Sequence, residues 1–84
     1  MVQVKVLGTG CRKCDKLYLV AERAIAESGV QAELHKVEEV EAIMAHGVAF
    51  TPALVVDDQV LSTGRLPRRA QIVSWLVEAA RSRT

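Results

Sequence analysis

Two short runs of alternating residues, separated by one long helical pattern, restrict this chain more than any other feature. Val2, Val4 and Val6 alternate with Gln3 and Lys5, the period-two signature of a strand with one well-buried face. Val30, Ala32 and Leu34 alternate in the same way. Between them, from about Cys11 to Ser28, Leu17, Val20, Ala21, Ala24 and Ile25 recur at helical spacing, and Gly29 is a natural stop. A connection of that length is no hairpin. The two strands are therefore expected to lie parallel, joined by a right-handed crossover.

The remaining pattern is short. Val40, Ile43 and Met44 mark a brief helix that Gly47 ends, and "PALVV" reads as a third strand opening at Pro52, where a missing ladder donor is tolerated. Asp57-Asp58-Gln59 reads as a tight turn into a fourth strand, Val60-Leu61-Ser62. No glycine serves that turn, so an aspartate is expected to take the left-handed conformation. Gly64 to Pro67 leads into a last helix with a buried stripe of Ile72, Val73, Leu76, Ala79 and Ala80 and with Trp75 at its margin. The expected order is β-α-β-α-β-β-α, an α/β fold.

The chain has 84 residues, enough for one core and too few for two, so residues 1–84 are expected to form a single domain. No apolar run approaches the roughly 20 residues that span a bilayer. The opening "MVQVKVLG" reads as a strand and not as a signal peptide. The expected compartment is the cytoplasm, where thiols stay reduced. A net charge of +1 gives no electrostatic reason for nucleic acid or an anionic membrane as partner.

Against that background the stretch "GTGCRKCDKLYLV" carries the chemistry. Cys11 and Cys14 are the chain's two cysteines. Their spacing suits a metal site, a structural bridge or a dithiol–disulfide couple. Their placement at a helix start favours the last. Unpaired backbone N–H groups and the helix dipole, roughly half a positive charge, favour an anion there. Arg12 and Lys13 add two cations beside Cys11, and both effects favour the reactive thiolate. Cys14 lies one turn deeper. Cys11 is thus the expected nucleophile and Cys14 the resolving thiol, close enough to bridge across a single turn. Gly8 and Gly10 are expected to supply unusual backbone angles and to leave Cys11 unshielded.

"VKVLGTGCRKC", followed by "TPALVVDDQVLSTGRLP", resembles the small thioredoxin-like, glutaredoxin-sized redox-active disulfide proteins of archaea and bacteria. The resemblance covers essentially the whole chain. It implies a four-stranded mixed sheet with helices on both faces, and a cis peptide bond at Thr51-Pro52 beside the dithiol. That bond would turn the backbone of Thr51 toward the cleft, to pair with an extended substrate chain. It also implies disulfide-containing client proteins, a thioredoxin reductase or similar electron donor, a monomer, and no cofactor beyond the Cys11–Cys14 disulfide.

The sequence departs from the ordinary family pattern in places. Gly10 and Arg12-Lys13 stand where ordinary thioredoxins carry a tryptophan and a proline-containing pair. The first strand offers Lys5, a possible thiolate stabiliser, where they carry a buried acid. No general base for Cys14 is evident. Gly64 and Arg65 are expected to border the cleft, with Arg65 holding an acidic partner or the carboxylate of a thiol cofactor. Arg68 and Arg69 extend the basic cluster. Tyr18, one turn after Cys14 on the same helical face, is expected to pack against the loop, and His35 and His46 to be surface or strand-edge residues outside any zinc motif.

The alternative function is a C-x-x-C carrier of copper or zinc. Such carriers usually place a methionine where this chain has Thr9, and their order is β-α-β-β-α-β. No metal ligand is therefore assigned.

Overall fold

The computed structural model describes residues 1–10 and 12–82; Cys11, Arg83 and Thr84 lie outside the described residues. The elements are β1 (Val2–Leu7), α1 (Arg12–Ser28), β2 (Ala32–Val37), α2 (Val40–Ala45), β3 (Ala53–Val56), β4 (Gln59–Thr63) and α3 (Arg69–Ser82). The strands form one sheet in the order β2-β1-β3-β4. β1 runs parallel to β2 and antiparallel to β3, and β3 is antiparallel to β4. This is the mixed sheet of a thioredoxin-like α/β fold.

The pleat of β1 divides the core. Val2, Val4 and Val6, with Leu54 and Val56 of β3, face α1 and α3 and pack against Leu17, Ala21, Ala24, Ile72 and Leu76. Leu7, Ala53 and Val55 face the other way and pack against Ile43 of α2 and Val48. Burying each large aliphatic side chain fully contributes about 1.5–3 kcal/mol. β3 is covered on both faces, with all four of its residues buried, while Gln3 and Lys5 of β1 are only half-buried. The six-residue α2 covers only the Leu7 end of its face. Toward the other end Gln3 and His35 meet through a 3.0 Å hydrogen bond in the open, and Trp75 is partly buried at the margin of the α1–α3 side.

Two strand boundaries and one buried face differ from the sequence reading. β2 begins at Ala32 and runs to Val37, because its pairing with β1 continues through His35, Lys36 and Val37 opposite Lys5, Val6 and Leu7. β2 is an edge strand, so its polar residues can face water without breaking the ladder. β3 starts at Ala53, and Pro52 is buried just ahead of it. In α2 Ile43 alone is buried, while Val40 and Met44 are exposed.

The turn between β3 and β4 takes two aspartates into the left-handed region, Asp57 at φ 47° and Asp58 at φ 66°. Two consecutive positive φ values match the twist of the flanking strands. Asp57 is anchored to β1: its N–H donates to the Gln3 carbonyl at 2.8 Å, and its Oδ1 accepts from the Gln3 N–H at 2.9 Å. At the end of α1, Ser28 Oγ donates to the Ile25 carbonyl and accepts from the Val30 N–H, with Gly29 at φ 70°.

Candidate active site

The C-terminal end of β1 delivers the chain to the start of α1 through Gly8, Thr9 and Gly10. Gly8 is tied to the sheet by its N–H, which donates to the Val37 carbonyl at 2.9 Å. Cys14, in the first turn of α1, is fully buried and disulfide-bonded. The chain's other cysteine, Cys11, assigned as nucleophile from the sequence, lies outside the described residues.

Gly8 and Gly10 have different reasons to be glycine. A Cβ on Gly8 would collide with Sγ of Cys14 and stand 3.0 Å from its Cβ. Gly8 is not among the residues of positive φ, so the expectation of an unusual backbone angle is corrected there. What Gly8 provides is room. Gly10 does take the left-handed conformation, at φ 70°, which glycine adopts at no steric cost.

Thr51 completes the local wall, its Cβ 3.9 Å from the position a Gly8 Cβ would take. The Thr51-Pro52 peptide bond is cis. The carbonyl of Pro52 accepts the Gly64 N–H at 2.8 Å, which draws the loop before α3 against the loop before β3. Gly64 sits at φ 68°, and a Cβ there would lie 3.2 Å from Cβ of Phe50. Thr51 is exposed, and among the described residues neither its N–H nor its carbonyl has a hydrogen-bond partner. Gly8, Cys14, Thr51, Pro52 and Gly64 thus come together from four separate segments.

Charge surrounds this group on the outside. Arg12 and Lys13 are exposed on the first turn of α1, and Arg65 is exposed beside Gly64. Arg69 is taken up elsewhere, its Nε 2.8 Å from Glu27 of α1, which supplies the acid that the first turn of α3 lacks. Lys5 does not serve the dithiol. Its ammonium lies 3.9 Å from Asp58, at the β3–β4 turn. The sheet face carrying Lys5 opens toward that turn, and this corrects the idea of Lys5 as a thiolate stabiliser.

Two acids stand beside the site: Asp15, which the sequence places directly after Cys14, and Glu38, which the sequence does not place there. Asp15, directly after Cys14, accepts a 3.0 Å hydrogen bond from Lys36 Nζ, and Lys36 lies 6.0 Å from the centre of the Tyr18 ring. The hydrogen bond to Asp15, then that carboxylate's charge, raises the Lys36 pKa above the usual lysine value, and Glu38 adds to the effect. Glu38 Oε2 stands 3.6 Å from the position a Cβ on Gly10 would take. The position of Glu38 and the Lys36 contact to Asp15 follow from the parallel pairing of β2 with β1, which brings the end of β2 beside the Gly8–Gly10 loop. Register across that pair is the signal that would have found them.

Among the described residues no group of three or more His, Cys, Asp and Glu side chains is arranged to hold a metal ion, and no helix is long and apolar enough to cross a membrane. Residues 2–77 match the family described as "Thioredoxin domain".

The chain belongs to the thioredoxin family. This is a family of thiol–disulfide oxidoreductases. A thioredoxin of Methanocaldococcus jannaschii is 38% identical over 72 residues, covering 86% of this chain and 83% of that protein. A thioredoxin of Methanothermobacter thermautotrophicus is 33% identical over 72 residues, covering 86% of this chain and 94% of that one. Among solved structures, a Nu-class GST from Haemonchus contortus superposes with a TM-score of 0.48 at 21% identity, over 96% of this chain and 37% of its own.

Proposed function

We propose that this thioredoxin-family chain reduces disulfides in client proteins through Cys11 and Cys14. The observation that carries the reading is a buried, disulfide-bonded Cys14 in the first turn of α1, walled by Gly8 and by a Thr51 whose backbone groups have no partner among the described residues. Such a pair of free groups suits the addition of one extended client segment.

In the reduced protein the Cys11 thiolate, favoured by the α1 amide groups and by Arg12 and Lys13, attacks one sulfur of the client disulfide. The client S–S bond breaks, a Cys11–client disulfide forms, and the departing client thiolate takes a proton. Cys14, deprotonated, then attacks Cys11. The mixed disulfide breaks, the second client thiol leaves, and the Cys11–Cys14 bridge forms. Two electrons have passed to the client, and its two thiolates take their protons from Cys14 and from solvent. A thioredoxin reductase or a similar donor returns the electrons. No cofactor beyond the two cysteines takes part, and a reducing compartment such as the cytoplasm suits this direction.

Gly64 joins the two loops that flank the client path, and Arg65 beside it favours clients with acidic residues near their disulfide. One experiment tests the reading: pre-reduced protein is mixed with a protein disulfide, and both are followed by intact mass. The expected result is loss of two hydrogens from this chain and gain of two by the client. Tight, stoichiometric copper or zinc binding without disulfide turnover would contradict it.

A further inference from the structure

The chain's single phenylalanine, Phe50, stands 70% exposed directly before Thr51 and Pro52. It is flanked by two buried anchors, Val48 in the α2-side core and Pro52 ahead of β3. Its backbone is therefore tethered while its ring stands outside. Phe50 Cβ lies against Gly64, where an added Cβ would approach it to 3.2 Å. The hydrogen bond from the Gly64 N–H to the Pro52 carbonyl holds that seat in place. A scattered surface hydrophobe needs no explanation. This one is fixed on a built support, one residue from Thr51, whose backbone has no partner among the described residues.

We propose that Phe50 is a specificity-determining residue that receives an apolar side chain of the client, close in sequence to the attacked cysteine. The inference deepens the oxidoreductase reading and rests on it. A client segment paired with Thr51 advances about 3.3 Å per residue, so a side chain within two residues of the client cysteine reaches the ring. Exposed charge lies on the neighbouring segments, Arg12 and Lys13 on the first turn of α1 and Arg65 directly after Gly64. A polar rim around an aromatic anchor is the usual composition of a protein-binding patch. A small disulfide without a flanking chain makes no such contact.

Three probes separate the possibilities: a peptide disulfide with leucine beside its cysteine, the same peptide with serine there, and hydroxyethyl disulfide. Second-order rates are measured with pre-reduced wild type, Phe50→Ser and Phe50→Leu. Wild type is expected to prefer the leucine peptide over the serine peptide by ~10-fold, the discrimination typical of one apolar contact. Phe50→Ser abolishes that preference and leaves the hydroxyethyl disulfide rate within about twofold, while Phe50→Leu keeps most of the preference. A preference unchanged in Phe50→Ser, or an equal loss on all three probes, overturns the inference with the oxidoreductase reading intact. A wild type that reduces none of the probes overturns both.

Discussion

The α-carbon of Gly8 faces Sγ of Cys14 so closely that no side chain fits between them. Gly8 is itself pinned to the sheet by its bond to Val37, and Cys14 is fully buried, so neither neighbour can retreat cheaply. Gly8→Ala is expected to destabilise the protein by about 1–3 kcal/mol, the usual cost of overpacking a core. At roughly 4–8 °C per kcal/mol for a domain of this size, thermal unfolding reads this directly. The same substitution made in a Cys14→Ala background, where Sγ is gone, should cost measurably less. Equal costs in both backgrounds would show that the contact is not what makes residue 8 glycine.

The β3–β4 turn predicts opposite signs for two adjacent substitutions. Asp58 holds φ 66° with its side chain 88% exposed and only a 3.9 Å contact to Lys5. Glycine relieves the left-handed strain, so Asp58→Gly is expected to raise stability by up to about 1 kcal/mol. Asp57 has the same conformation, but its carboxylate accepts the Gln3 N–H. Asp57→Gly is expected to lower stability by about 1 kcal/mol, the worth of one such hydrogen bond less the relieved strain. Urea midpoints of the two variants check the signs.

Lys36 gives a pH dependence with a defined sign. Its pKa is raised in the folded protein by Asp15, so folded chains hold that proton more tightly than unfolded ones. The resulting stability is complete below the unfolded lysine pKa, about 10.4, and is lost as pH rises through the folded value. The stability difference between wild type and Lys36→Met should stay constant from about pH 7 to pH 9 and shrink in strong alkali. A difference that instead grew in alkali would reverse the assignment.

Arg65 is exposed beside Gly64, the residue that joins the two loops of the site. Arg65→Glu is expected to slow reduction of an acidic client disulfide several-fold at low salt, with the gap closing as salt is added. Reduction of a neutral small disulfide should not change. Identical rates toward the acidic client at every ionic strength would remove Arg65 from client binding.

Much of the fold was legible because β1, α1 and α3 each carry a clean period. Val2, Val4 and Val6 marked the buried face of β1, and Leu17, Ala21 and Ala24 marked that of α1. The limits of β2 were harder to read. As an edge strand it pairs through polar His35 and Lys36, which carry no alternation of apolar residues. The site was legible in part. The cysteine spacing and Thr51-Pro52 stand in the sequence, but contacts between segments do not. Gly8 against Cys14, Glu38 beside Gly10 and Phe50 on Gly64 each depend on register or loop approach. Phe50 did leave a trace, an aromatic residue outside any periodic pattern directly before Thr51. Lys5 was misjudged because its strand position shows how near it is to the dithiol in sequence, and not which end of the sheet its side chain serves.

The division of labour between the two sulfurs is tested most directly by trapping. Cys14→Ser and Cys11→Ser proteins are each mixed with a client disulfide, and adducts are identified by intact mass. With Cys11 as the attacking sulfur, Cys14→Ser accumulates a stable mixed disulfide with the client, and Cys11→Ser, left with the buried Cys14, accumulates almost none. An adduct formed by Cys11→Ser alone, or by neither variant, would contradict the account.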